Sequence, residues 1–138
     1  MNSVTDKPPT SQRLALVKIW YLLGGLMLLL VATVSLIPSP PDVGVNDKVS
    51  HLTTYLILGG WFSLLASDRA ALIWTILGLL FYGMLLEVLQ GMTGHRFAEW
   101  GDVFANGCGI LAGTLFYFSP LPRLLQFVDK KLALWWLR

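Results

Sequence analysis

The sequence predicts an all-α membrane protein with four transmembrane helices, both termini in the cytoplasm, and a C-terminal amphipathic helix at the membrane interface. Of the 138 residues, 55% are hydrophobic and only 13% are charged, which is more apolar than a soluble domain requires. Several runs without charge approach the roughly 20 residues that a helix needs to cross the hydrocarbon layer. Polar and proline-rich segments separate these runs, which indicates several spans rather than one.

The length and charge exclude other classes of protein. A chain of this size forms one compact unit, and a net charge of +2 gives no indication of nucleic-acid binding. Cys108 is the only cysteine, so an internal disulfide cannot form. It falls within an apolar stretch, where we predict a small buried residue rather than a reactive thiol.

The elements follow from the order of polar and apolar segments. Residues 1–17 are predicted to form a polar arm, and residues 18–119 the four-span domain. The first span ends at the prolines that begin at Pro38, and no small-residue cleavage site follows it, so it is predicted to be uncleaved. The predicted spans cover about residues 19–37, 49–66, 70–89 and 103–118.

Residues 120–138 differ from the spans. Apolar residues recur there at helical spacing among basic residues, a pattern typical of a helix that lies in the membrane interface. The alternatives are a partner-binding helix or a frayed tail. The apolar stripe comprises Leu124, Leu125, Val128, Leu132 and Trp135.

Basic residues set the predicted orientation, because Lys and Arg near span ends favour the cytoplasmic side. Eight of the ten fall in the arm, the second loop and the tail. The other two, Lys48 and Arg96, fall in the first and third loops. We therefore expect those two loops to face outward, across a bacterial cytoplasmic membrane that the chain crosses several times.

Three polar patterns stand at span ends that this topology places on the outer side. They are Asp47-Lys48-x-x-His51, Glu87-x-x-Gln90 and Asp102-x-x-x-Asn106. Ionisable groups beside hydrocarbon are costly, so they are functional-site candidates and should face the bundle interior. A Gly109-x-x-x-Gly113 pattern on the fourth span favours close helix packing, which would bring the three patterns together.

These patterns, with Arg96 six residues before Asp102, resemble the VanZ-like membrane protein family over about residues 35–115. The family is named for a protein associated with resistance to the glycopeptide teicoplanin. The resemblance therefore implies a role at the bacterial cell envelope and an effect on glycopeptide susceptibility. It leaves the biochemical activity open.

The candidate residues divide by chemistry. Glu87 and His51 could move protons, with Asp102 as a third catalytic candidate or as a cap of the fourth helix. Arg96 could grip a phosphate or carboxylate at two points, or pair with Asp102 or Glu99. The candidate binding residues are Asp47, Lys48, Gln90, Arg96 and Asn106.

Metal binding is not favoured by the sequence. Zinc needs at least three ligands, and His51, Glu87 and Asp102 are the available set, but no two of them share a metal-motif spacing. We predict no metal and no other cofactor. His95 and Glu99 are predicted to be solvated loop residues.

The predicted function is recognition or modification of an envelope lipid or lipid-linked cell-wall precursor, held by an anionic or zwitterionic head group in an outward-facing pocket. One alternative is an enzyme proper, a phospholipid or polyprenyl-phosphate hydrolase or transferase. Another is a non-catalytic membrane subunit whose polar cluster holds the helices together. A proton-coupled carrier is less favoured, because no charged residue marks the inner half of a span. The sequence does not identify protein partners.

Overall fold

The computed structural model describes residues 14–38, 44, 46–94 and 98–136. No strand occurs in these ranges, so the predicted all-α class is confirmed. The helices begin and end within a few residues of their predicted limits. In chain order the elements are α1 (Val17–Leu36), α2 (Asp47–Leu65), α3 (Arg69–Met92), α4 (Trp100–Thr114), a 3₁₀ turn (Leu115–Phe118) and α5 (Leu121–Trp136).

Two of the described helices, α1 and α3, are long and apolar enough to cross a membrane, each with a mean hydropathy of 2.1. A third is added if α4, the 3₁₀ turn and α5 are taken as one broken span, bent by 70°. The prediction of membrane helices is confirmed at this level. Four spans and cytoplasmic termini stay a prediction.

Contacts at the helix ends show that successive helices run in opposite directions. Trp61 Nε1, late in α2, donates to the Trp20 carbonyl at the start of α1, at 3.2 Å. At the other end, Gln90 Nε2 of α3 donates to the Ser35 carbonyl, near the end of α1, at 2.9 Å. The polar end is defined here as the end that holds the first turns of α2 and α4 and the last turns of α1 and α3. The latch end is the opposite one, where Trp20 and Leu65 lie.

Glycines let α2 and α4 approach until their backbones touch. A Cβ at Gly109 would collide with the Leu52 carbonyl oxygen, and one at Gly113 would collide with the Leu56 carbonyl oxygen. Small residues at this spacing allow close helix approach in membranes, as the sequence predicted. This contact places the first turn of α4 beside the first turn of α2.

Asp68 fixes the start of α3. Its side chain caps the helix by accepting from the Ala71 backbone N–H at 2.8 Å. This hydrogen bond lowers the pKa of the exposed Asp68 carboxyl, because it favours the charged form.

α5 is tied to α1 by a buried carboxylate that no sequence pattern singled out. Asp129 is fully buried and accepts from Ala15 N at 2.6 Å, Leu16 N at 2.9 Å and Trp20 Nε1 at 2.8 Å. Leu14 packs beside it with Trp20. The end of the predicted polar arm is therefore part of the packed structure, while residues 1–13 lie outside the described ranges.

Candidate functional site

The first turns of α2 and α4 supply most of the polar end. Asn46 caps α2, because its side chain accepts from the Lys48 backbone N–H at 3.0 Å. Glu99 occupies the cap position of α4 but makes no side-chain cap bond. Asp102 lies in the first turn of α4, so the alternative that it caps this helix is wrong. Its carboxylate faces α2 instead.

Lys48 bridges the two helices. Its Nζ lies 2.7 Å from Glu99 Oε2 and 3.3 Å from Asp102 Oδ1. The Asp102 side chain is only 4% exposed, whereas those of Lys48 and Glu99 are about half exposed. Lys48 therefore links a solvent-facing carboxylate to a buried one. Glu99, predicted to be simply solvated, is a member of the site.

His51 lies deeper on the same face of α2. Its Nδ1 is 3.0 Å from Asn106 Oδ1, so the ring donates to the amide oxygen and the Nε2 atom carries the lone pair. Nε2 is 3.9 Å from Asp47 Oδ1 and 4.0 Å from Asp102 Oδ2. Both separations are too long for hydrogen bonds.

Tyr55 and Asn106 close the inner side of the cluster. A Cβ built at Gly83 of α3 would lie 3.1 Å from the Tyr55 hydroxyl oxygen and 3.2 Å from Asn106 Nδ2. A larger residue at position 83 would push one of these side chains out of place. Tyr55 was missed from the sequence, because a tyrosine within an apolar run is more often a core residue.

Glu87 and Gln90 bind neighbouring backbone. Glu87 is 4% exposed, and its Oε1 accepts from the Glu99 backbone N–H at 2.8 Å. Gln90 donates to the Ser35 carbonyl. These contacts join α3 to the start of α4 and to the end of α1. The hydrogen bond from the Glu99 N–H gives Glu87 a structural role, which is an alternative to the predicted role in proton transfer.

A shallow groove of about 260 Å³ begins at Lys48 and runs along the junction of α2 and α4. Apart from Lys48 its walls are small or apolar, which suits a hydrocarbon chain more than a polar solute. Cys108 lies on the groove wall and is partly exposed, although we predicted a buried residue. The lining residues are Lys48, Val49, Leu52, Gly101, Phe104, Ala105 and Cys108.

Seven of the eight predicted site residues lie at the polar end, but not in one contact network. α2 and α4 bring five of them together, while Glu87 and Gln90 hold helix ends beside them. Arg96 lies outside the described residues. The five that converge are Asp47, Lys48, His51, Asp102 and Asn106.

No family model, curated protein or solved structure matches this chain. The site must therefore be interpreted from its own chemistry. Lys48 contacts the carboxylates of Glu99 and Asp102, and His51 lies 3.9–4.0 Å from those of Asp47 and Asp102, so carboxylates outnumber ammonium groups among the described residues of the cluster. Such a cluster can hold a cation, or a zwitterion that presents its positive group to the carboxylates.

Proposed function

We propose that the chain is a four-span protein of the bacterial cytoplasmic membrane that recognises the zwitterionic head group of an envelope lipid at the polar end. The observation that carries the proposal is the groove that starts at Lys48. It places an apolar groove, suited to an acyl chain, beside a charged cluster.

The charges of the cluster favour a zwitterion. Glu99 is an exposed carboxylate that can accept a lipid ammonium group, and the half-exposed Lys48 ammonium can reach a phosphate oxygen. A purely anionic head group would face more carboxylates than cations among the described residues. A zwitterion offers a positive group to the carboxylates and a negative group to Lys48.

The exposed surfaces of the helices support a lipid environment. Large apolar side chains cover the outer faces of α1 and α3, and soluble proteins rarely expose apolar patches of this extent. The 70° bend before α5 would lay that helix close to the membrane plane if α4 crosses the bilayer. Examples of exposed apolar side chains are Leu22 and Leu29 on α1, Trp74 and Phe81 on α3, and Phe127 on α5.

Four spans and an outward-facing polar end are part of this proposal. The charge distribution of the loops and the motif resemblance to the VanZ-like family support them. So does the alternating direction of the helices, which puts the starts of α2 and α4 on one side. A link to glycopeptide susceptibility would follow from an envelope lipid as ligand.

The single cysteine offers a direct test. Purified protein in detergent is incubated with phosphatidylethanolamine or phosphatidylglycerol, and labelling of Cys108 by a maleimide is followed with time. We expect phosphatidylethanolamine to slow labelling at least about tenfold at saturation, because an acyl chain in the groove would cover the thiol. Native mass spectrometry of the same samples counts the retained lipids.

Lys48→Met is the decisive variant, and Lys130→Met on exposed α5 is the matched control. The first should lose the protection and the retained lipid, and the second should keep both. Equal protection in the two variants would overturn the proposal. A stronger effect of phosphatidylglycerol than of phosphatidylethanolamine would overturn the choice of a zwitterionic head group.

A non-catalytic structural subunit is the second candidate. The backbone bonds of Glu87 and Gln90 favour it, because both side chains hold helix ends together. In that case neither lipid would protect Cys108. An enzymatic role, with Glu87, His51 and Asp102 as catalytic residues, stays a prediction.

A further inference from the structure

We propose that Asp47, His51 and Asp102 form a binding site for one divalent transition-metal ion. Each residue offers one ligand atom, and the three atoms all lie within 4.8 Å of one another. Asp47 and His51 stand one turn apart on α2, and Asp102 reaches them from the first turn of α4. The set differs by one residue from the trio that the sequence suggested and disfavoured, because Asp47 takes the place of Glu87.

The histidine is oriented for coordination. Metal-binding histidines almost always donate their second ring nitrogen to an oxygen acceptor, which fixes the tautomer. In this site Asn106 Oδ1 accepts from Nδ1 at 3.0 Å, so the Nε2 lone pair points toward the two carboxylates. Asn106 is therefore a positioning residue for the ligand His51.

The distances fit a site that would contract slightly around an ion. Zinc binds nitrogen and oxygen at about 2.0–2.2 Å, which separates neighbouring ligand atoms by about 3–3.5 Å. Here Nε2 lies 3.9 Å from Asp47 Oδ1 and 4.0 Å from Asp102 Oδ2. Small rotations of the side chains would close these gaps.

Asp102 turns one carboxylate oxygen toward Lys48 and the other toward His51. Its side chain is 96% buried, and among the described residues Oδ2 has no partner closer than the His51 Nε2 atom at 4.0 Å. Lys48 occupies the other oxygen, Oδ1. A metal ion beside His51 Nε2 would therefore take Oδ2 as a ligand while Lys48 keeps its contact with Oδ1.

The charge of the site agrees with a divalent ion. The ligand set of two carboxylates and one imidazole supplies two formal negative charges when His51 is neutral, which match a divalent ion. One imidazole and two carboxylates suit Zn²⁺ or Mn²⁺ better than thiolate-preferring ions. Three protein ligands would leave at least one coordination position for water or another ligand.

The metal site stands on its own ligands and goes beyond the proposed lipid recognition. The test therefore uses delipidated protein without a histidine tag, stripped with a chelator, in detergent. Zn²⁺ bound per chain is measured by equilibrium dialysis and elemental analysis. We expect about one ion per chain for the wild type.

Asp47→Asn and Asp102→Asn should each weaken Zn²⁺ binding more than about tenfold, since each removes a charged ligand. Asn106→Ala should weaken it about tenfold, the usual effect of losing a partner that orients a ligand. Asp68→Asn, which removes a carboxylate in the α2–α3 loop at the latch end, should bind Zn²⁺ as the wild type does.

Asp47 is half exposed, so its asparagine variant keeps the test valid if a buried variant fails to fold. Unchanged Zn²⁺ binding in Asp47→Asn and Asp102→Asn, or no binding by folded wild type, would overturn the metal site. Repeating the Cys108 protection assay on metal-free protein separates the two proposals. Protection without Zn²⁺ binding would leave lipid recognition standing alone, and Zn²⁺ binding without protection would leave the metal site standing alone.

Discussion

Two buried aspartates, one at each end of the bundle, differ in how completely their neighbours satisfy them. Asp129 at the latch end receives three N–H donors at 2.6–2.9 Å, two of them from the backbone. Asp102 at the polar end lies 3.3 Å from the half-exposed Lys48 ammonium and 4.0 Å from His51. The first carboxylate is satisfied by groups that the fold holds in place. The Asp102 carboxylate depends on the side chains of Lys48 and His51, which can rotate to contact another partner.

The latch end uses its carboxylate as a helix cap supplied from a distance. Leu16, at the cap position of α1, cannot accept a hydrogen bond through its side chain. Asp129, 113 residues away in sequence, accepts from the free N–H groups at that helix start. A negative charge at this position also opposes the positive end of the helix dipole. The arrangement at the latch end is therefore a structural one.

The largest loss of stability should follow from Asp129→Ala. The change leaves the buried Trp20 indole N–H and two part-buried backbone N–H groups without their acceptor. We expect the free energy of unfolding to fall by about 3–5 kcal/mol, because each buried unsatisfied donor costs roughly 1–3 kcal/mol and the costs overlap. Thermal unfolding in detergent measures the loss.

Asp68→Ala is the matched control for this change. Asp68 also caps a helix start, but its carboxyl is exposed, so water can replace it at the Ala71 N–H. Asp68→Ala should therefore lose less stability than Asp129→Ala, only the usual cost of losing an exposed helix cap. If both alanine variants melted alike, Asp129 would be no more than an ordinary cap.

The second effect concerns the helix contact that assembles the polar end. Gly109→Ala would place a methyl group against the Leu52 carbonyl, which is backbone and cannot move aside. We expect a loss of about 1–3 kcal/mol, the usual cost of overpacking, and weaker Zn²⁺ binding because α4 carries Asp102. Gly107→Ala on the same helix meets only a Leu80 methyl at 3.7 Å, so it should not lower the unfolding free energy and should leave Zn²⁺ binding unchanged. Equal behaviour of the two variants would mean that the α2–α4 approach does not set the geometry of the site.

Much of this organisation could be predicted from the sequence because it depends on local patterns. Apolar runs gave the helices within a few residues, and the Gly109 and Gly113 spacing indicated the close contact of α4. The alternation of spans placed the polar patterns at one end. Helix period alone then indicated that Asp102 and Asn106 share a face, and in the structure both side chains are buried and face α2.

The rest depends on tertiary contacts that no local pattern encodes. Asp129 has its partners at the other end of the chain, so a single acid in a basic tail gave no signal. Glu99 stands in a polar loop, and only the position of α2 reveals its pairing with Lys48. The sequence offers both Asp47 and Glu87 as carboxylates that could lie near His51. Only the packing of α3 shows that Glu87 accepts from a backbone N–H instead.

The smallest expected effect concerns Glu87, and it tests whether this residue only holds helices together or also belongs to the proposed binding site. Glu87→Ala removes the acceptor of the Glu99 N–H, and we expect a loss of about 1–2 kcal/mol in unfolding free energy. Glu87→Gln keeps an amide oxygen at the same place, so its melting temperature should stay within experimental error of the wild type. Zn²⁺ binding and Cys108 protection should survive in the glutamine variant, because it also keeps Glu99 in place beside Lys48.

If glutamine instead abolished either property while the protein stayed folded, the negative charge of Glu87 itself would be needed. Glu87 would then belong with the residues proposed to bind a ligand, and not with those that only hold the helices together.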